Sequence, residues 1–238
     1  MYLILSDIHG NLSALESILN AVTHNLDGVI LLGDNIDYGM RSNEVLSKLS
    51  SLGTKILVNI WGNHEYAILN NEYESFSTER GVTSAKNTSE HLNSSSIDYL
   101  LNFMSSSFVE FRINDTLCLA IHGSLDDIYW KSLGFDTADE KYMKYDIVFS
   151  GHSHQPHYFE KYYPSDNPNT RHKKKTVFVN PGSVGQPRNL NPNAQGILWD
   201  EDAGSFVFLS EAYDIVFEQS LFVPPIDSFY RDRLEYGV

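Results

Sequence analysis

The chain has 238 residues, of which 42% are hydrophobic and 20% charged, which suits a globular protein with a sizeable core. Its net charge of −14, with only 17 Lys and Arg dispersed along it, argues against long nucleic acid as a partner. Cys118 is the only cysteine, so no intramolecular disulfide can form. No run approaches the roughly 20 apolar residues of a membrane span, and the first residues lack the basic start of a signal peptide. A soluble, cytoplasmic protein is expected.

Tyr2–Leu5 is a short apolar run that predicts a buried strand, and Asp7-Ile8-His9-Gly10-Asn11 a loop after it. Ser13-Ala14-Leu15-Glu16 has capping-box spacing, and Ala14, Leu15, Ile18, Leu19 and Val22 recur at helical spacing. Residues 29–32 predict a second strand, running into Gly33-Asp34-Asn35-Ile36-Asp37. Val45, Leu46, Leu49 and Leu52 mark a second helix stopped at Gly53, and residues 55–60 a third strand ending before Gly62-Asn63-His64-Glu65. This alternation implies parallel strands with helices on their faces. Residues 66–107, rich in Ser and Asn, predict two or three helices covering one edge of a site.

Residues 108–113 and 117–121 flank Asn114-Asp115 as a hairpin, and the second strand ends in His122. Thr137-Ala138-Asp139-Glu140 again has capping-box spacing and predicts a short helix. Residues 146–149 form a strand before Gly151-His152-Ser153-His154. Residues 159–163 and 175–179 are strands around a polar loop, the second leading into the 180–188 loop. Residues 195–199 and 206–209 form a hairpin, 213–218 a further strand, and the stretch from Pro224 a final helix.

An acid directly after a buried strand, as Asp34 is, costs free energy unless something positive pairs with it. No Lys or Arg stands in place for that. Instead, Asp7 and His9, Asp34, Asn63 and His64, His122, and His152 and His154 all follow apolar runs. In open α/β sheets function gathers at the carboxyl ends of strands. Any one of these residues alone would be an ordinary loop group; together they form a metal-ligand set. Mixed oxygen and imidazole donors without thiolate suit Mn, Fe, Zn, Co or Ni. His24, His91 and His172 carry no motif.

In that order Asp7-x-His9, Gly33-Asp34, Gly62-Asn63-His64-Glu65, His122 and Gly151-His152-x-His154 resemble the calcineurin-like metallophosphoesterases. The 6–11 start and the 180–188 loop look like their small bacterial phosphodiesterases, related to diadenosine tetraphosphatase-like proteins. The resemblance implies a four-layer α/β/β/α sandwich of two mixed sheets, a single domain over residues 1–238 with a helical insertion at about 66–107. It implies two divalent or mixed-valence transition-metal ions. One would be held by Asp7, His9, Asp34 and His154, the other by Asp34, Asn63, His122 and His152. His64 would assist the leaving group and Asp37 would orient it, with Asn63 and Arg188 as substrate contacts. The implied partner is a small phosphate ester, such as a nucleotide, hydrolysed as a diester or monoester, with no membrane involved. No feature sets an oligomeric state.

Glu65 departs from the small phosphodiesterases, which more often carry Asp there. Tyr38 stands where Ser/Thr protein phosphatases carry Arg, which argues against that class. A retromer subunit resembling the family serves as a non-catalytic protein-binding scaffold and has lost the histidine that His64 matches; this chain retains it. The basic run 171–175 is expected as a solvated loop able to steer anions, and His157 as a residue lining the site.

Overall fold

A computed structural model describes residues 1–22 and 26–238; His24 lies outside the described residues. In chain order the elements are β1 (Tyr2–Leu5), α1 (Leu12–Ala21), β2 (Gly28–Leu31), α2 (Ser42–Leu52) and β3 (Ile56–Asn59). Three helices follow, α3 (Asn63–Asn70), α4 (Glu79–His91) and α5 (Ser94–Asn102). Then come β4 (Val109–Ile113), β5 (Thr116–Ile121), β6 (Ile147–Ser150), β7 (His157–Pro164), β8 (Lys173–Asn180), β9 (Ala194–Asp200) and β10 (Ser205–Glu211). The chain finishes with α6 (Ile215–Ser220) and α7 (Ser228–Tyr236).

The strands make two mixed five-stranded sheets, ordered β10-β9-β1-β2-β3 and β4-β5-β6-β8-β7. β1, β2 and β3 are parallel, as are β5, β6 and β8, while β9, β10, β4 and β7 add antiparallel neighbours. Strand periodicity explains the layering. Ile4, Ile30 and Val58 point into the space between the sheets, where they meet Cys118, Ala120, Phe149 and Val179 of the second sheet. Leu3, Leu5, Val29 and Leu31 point the other way, onto Leu15, Ile18, Val45 and Leu49 of α1 and α2. Strands covered on both faces cannot alternate polar and apolar residues, which is why β2 and β6 are buried throughout.

The outer face of the second sheet is covered without α-helix. Leu119, Ile121, Val148 and Phe178 pack under Leu133, Ala138, Tyr142 and Tyr145, in a segment with two 3₁₀ turns, Phe135–Thr137 and Glu140–Tyr142. The short helix expected to open at Thr137–Glu140 is thus reduced to the 3₁₀ turn Glu140–Tyr142, capped by Asp139 through the Lys141 N–H at 3.0 Å. The Thr137 hydroxyl closes back on the Gly134 N–H at 2.9 Å instead of capping forward.

Two other local expectations change. Residues 213–218 are not a strand: the Asp214 carboxylate accepts from the Phe217 N–H at 2.9 Å and starts α6. The Ser13 capping box is displaced, because Asn11 caps α1 through the Ala14 N–H at 3.1 Å while the Ser13 N–H donates to Glu218. Among the described residues no helix is long and apolar enough to cross a membrane.

The parallel strands of both sheets run the same way relative to the site, so the loops after β1, β2, β3, β5 and β6 converge at one end of the sandwich. Phe149 is fully buried between the sheets, 5.4 Å from the Trp199 ring. Phe149→Ala is expected to lower the unfolding free energy by about 3–5 kcal/mol, read from urea denaturation followed by circular dichroism.

Candidate metal centre and active site

The loops that converge are tightly wound. Asp7, His9, Asp34, Asp37, Tyr38, His152 and His154 all have positive φ, between 48° and 71°. For residues with a Cβ this region is strained, by about 1–3 kcal/mol each, and it persists only where neighbours enforce it. Here a ladder between loops does so. The Asp7 N–H donates to the Gly33 carbonyl at 3.0 Å, His9 N–H to Asp34 at 2.9 Å and Gly10 N–H to Asn35 at 3.0 Å. Close approach demands glycine at two points: a Cβ on Gly62 would fall 2.1 Å from Asp34 Oδ1, and one on Gly151 2.1 Å from Ser6 Oγ.

Asp7, His9, Asp34 and His154 each bring a donor atom within 4.8 Å of the others, and so do Asp34, His122 and His152. Asp34 belongs to both groups. Each imidazole is turned by a backbone carbonyl. His9 Nδ1 donates to Ile36 at 3.1 Å, His122 Nδ1 to Leu32 at 2.7 Å, His154 Nδ1 to Gln186 at 2.6 Å and His152 Nε2 to Trp130 at 3.1 Å. With those protons assigned outward, the other ring nitrogens present lone pairs inward. His9 and His154 face each other at 3.2 Å, and Asn63 Oδ1 lies 3.0 Å from His122 Nε2 and 2.9 Å from His152 Nδ1.

The two carboxylates are treated alike. Asp7 Oδ2 accepts from Ser6 Oγ and the His152 N–H, while Asp7 Oδ1 is buried with no hydrogen-bond partner and 3.2 Å from His154 Nε2. Asp34 Oδ1 accepts from the His64 N–H at 2.9 Å, while Oδ2 faces His122 Nε2 at 3.2 Å. Among the described residues neither acid pairs with Lys or Arg. Of the four histidines only His122 gains affinity for a second proton: burial opposes it, yet Asp34 and Asp7 push it up to about 9, whereas burial lowers His9 and His154. Burial and the neighbouring His122 push His152 down to about 4. An inward ring of oxygen and nitrogen lone pairs around an orphaned carboxylate oxygen fits divalent cations.

His64 stands beside this ring. Its Nδ1–H donates to Asp37 Oδ2 at 2.7 Å, and its Nε2 lies 3.9 Å from Asp34 Oδ2. Asp37 Oδ1 accepts from Ser84 Oγ at 2.6 Å and Thr88 Oγ1 at 2.8 Å, both on α4. Burial works against a charged imidazole here, but Asp34 and Asp37 outweigh it and raise the affinity of His64 for its proton. The ring is packed by Tyr38, His9 and Phe76.

These groups floor a cleft of about 320 Å³ that Phe76, Thr78, Trp130 and Arg188 wall. Arg188 thus lies where a substrate contact is expected. His157 does not line this cleft; it lies on β7 with its ring 5.4 Å from Phe159. In the basic run, Lys174 pairs with Asp146 and Lys175 with Glu160, near the start of β8, which is the end of that strand away from the site. The run is a partly neutralised edge rather than an anion funnel.

Glu65 has a role that no local reading gave it. Fully buried, its carboxylate accepts from the N–H groups of Gly62, Asp34 and Asn35 at 2.7–2.8 Å. It ties the loop after β3 to the loop after β2 and so sets the Asp34 backbone. Burial and the Asp34 charge raise it to about 7, against the pull of those three donors. The available signal was its capping-box spacing from Gly62 at the start of α3.

Residues 1–202 match the model of the calcineurin-like phosphoesterase superfamily domain. The chain is 27% identical over 228 residues to an uncharacterized protein of Methanocaldococcus jannaschii, covering 90% of this chain and 88% of that one. Its fold is similar to that of a metallophosphoesterase from Sphaerobacter thermophilus, at 24% identity and a TM-score of 0.74, over 100% and 98% of the two chains. A hypothetical protein from Pyrococcus horikoshii is similar at 17% identity and a TM-score of 0.80, over 100% and 99%.

In Glu65→Gln an amide N–H replaces one acceptor oxygen and meets a backbone N–H. The loss expected is about 1–3 kcal/mol of unfolding free energy, measured by urea denaturation. An unchanged midpoint would show that Glu65 does not fasten the two loops.

Proposed function

The chain belongs to the calcineurin-like phosphoesterase superfamily, and from that premise we propose that it is a two-metal hydrolase of small phosphate esters, with a diester or a nucleotide as the kind of substrate. The observation that carries this reading is the orphaned Asp7 Oδ1 facing an inward set of imidazole lone pairs, with a separately oriented histidine beside it. One cation would be held by Asp7, His9, Asp34 and His154, and a second by Asp34, Asn63, His122 and His152. Such ions, which the donor set allows to be Mn, Fe, Zn, Co or Ni, supply Lewis-acid charge at phosphorus and acidify a water nucleophile when bound.

The remaining work falls to the chain itself. Asp37 holds the His64 proton at Nδ1 and thereby turns Nε2 toward the cleft. A proton carried at Nε2 is then available to the departing ester oxygen, and the carboxylates that raise its affinity keep it there until transfer. The Arg188 guanidinium offers a phosphate contact, and Phe76 and Trp130 provide apolar wall for the organic part of the ester. An oriented His64 favours catalysis over a protein-binding scaffold. The whole chain acts as one catalytic unit in this reading, since α4 supports His64 through Asp37. Its lone buried Cys118 is in keeping with a reducing cytoplasm.

Bis-p-nitrophenyl phosphate with Mn²⁺ tests the assignment. His64→Ala is expected to lower turnover by about 10²–10⁴-fold with metal content retained. A variant as active as the parent removes His64 from the mechanism. Asp37→Asn should keep metal and lose roughly 10–100-fold in rate. Asp34→Asn should instead lose bound metal, measured by elemental analysis after dialysis; full metal occupancy in that variant would refute the shared-ligand role.

A further inference from the structure

Three arginines from three separate elements stand at or beside the cleft: Arg188 walls it, Arg80 precedes Gly81, which lines it, and Arg233 shares the Phe229 ring with Arg80. Arg188 follows the loop that turns His154, Arg80 stands in the first turn of α4 and Arg233 in the last turn of α7. Arg80 and Arg233 both lie over the Phe229 ring, at 4.0 and 5.1 Å from its centroid. α7 is fastened to the Arg188 loop, because Gln186 Nε2 donates to the Tyr230 carbonyl at 3.4 Å and the Leu190 N–H to Gly237 at 2.8 Å. Tyr230 stacks on Tyr38 at 4.3 Å, and Tyr38 packs on His64 at 4.4 Å. The chain of contacts runs from the arginines to the proposed proton donor.

The protein has 31 Asp and Glu against 17 Lys and Arg. Yet among the described residues none of these three arginines pairs with an acidic side chain. Arg188 Nε is buried without a partner. Arg233 is 6% exposed, and its Nε donates to an oxygen of Val238, the last residue of the sequence, which leaves Arg80 and Arg188 as the cations without an anionic partner among the described residues. Burial and the Arg188 charge push Arg233 down to about 10, which marks like charges held close together. Stacking on Phe229 engages a guanidinium face and leaves its N–H edge open to a planar or tetrahedral anion. Crowding three cations against one terminal oxygen, in so acidic a protein, costs free energy that an anion would return. Phe229, Tyr230 and Arg233 lie beyond residue 202, where the match to the family model stops, while Arg80 and Arg188 lie within it.

We infer that Arg80, Arg188 and Arg233 form an anion subsite for a second phosphoryl group, so that preferred substrates carry a phosphate beyond the one being hydrolysed. The inference rests on the reading of the cleft as a phosphoesterase site. It makes the three arginines residues of substrate selection, reached from the reacting phosphate along the Tyr38 side of the cleft.

The test compares inhibition of bis-p-nitrophenyl phosphate hydrolysis by orthophosphate and by pyrophosphate, with free Mn²⁺ held constant. Pyrophosphate should inhibit the parent at a concentration lower by roughly tenfold or more, the size of one or two charge-assisted hydrogen bonds. Arg80→Ala, at an exposed position that leaves the core intact, should bring the two inhibition constants together, and Arg80→Lys should restore part of the gap. Equal inhibition of the parent by both anions overturns the inference. So does a pyrophosphate preference that survives both Arg80→Ala and Arg233→Gln. If the parent hydrolyses no ester, the phosphoesterase reading fails by itself. Calorimetric titration of the Mn²⁺-loaded protein with the two anions then decides the subsite by the same comparison.

Discussion

Two buried carboxylates without a fixed positive partner are the constraint on which this structure turns. Asp7 and Asp34 are held at 0 and 1% exposure, with imidazole nitrogens and the Asn63 oxygen turned inward around them and no Lys or Arg paired with either among the described residues. Left alone, such an arrangement favours unfolding or protonation. A cation seated among these donors is the compensation that the proposed function assigns to them. The sheets supply the geometry for it: parallel registry of β1 with β2 brings Leu5 and Leu31 level, so the loops that follow start at the same height and can bond to each other. The positive φ values of Asp7, His9 and Asp34 are the cost of turning those loops so sharply that their side chains share one point.

Much of this was legible because the residues that matter follow apolar runs. A strand such as residues 29–32 announces itself by hydrophobicity, and an acid after it has no ordinary reason to be there. Parallel strands with helices over them followed from the same runs, and the arrangement in two mixed sheets from the resemblance; the helices cover the first sheet, while 3₁₀ turns cover the second. The misreadings have a common physical source. Tyr213, Ile215 and Phe217 alternate like a strand, but one carboxylate at Asp214 captures a backbone N–H and commits the segment to a helical turn. Thr137 was free to cap forward or backward, and only packing of Ala138 and Tyr142 onto the sheet decides between them. Glu65 was less legible still: two of the three N–H groups it binds lie about thirty residues away in another loop, so no window around it contains them. Arg80 and Arg233 are harder again, since their interest lies in the partners they lack.

α4 gives the helical stretch after β3 a part in the proposed chemistry as well as in the walls of the cleft. Ser84 and Thr88 satisfy the outer oxygen of Asp37, which leaves the other for His64. Arg80 on the same helix reaches toward α7 through Phe229. One helix thereby supports the proposed proton donor at its middle and the proposed selection of substrate at its start, in concert with the loops that carry Asp37 and Arg188.

The four carbonyls that turn the histidines belong to Ile36, Leu32, Trp130 and Gln186. None of these residues uses its side chain for that purpose. An alanine scan would find the proposed ligands, Asp37 and Glu65, and would pass over the groups that aim them, because every amino acid carries the same carbonyl. Only an amide-to-ester change or a shift of the main chain would expose their contribution. The aiming of this centre is thus stored where ordinary substitution does not reach, and related chains can exchange most of their side chains while the same ring of nitrogens stays pointed at the same place.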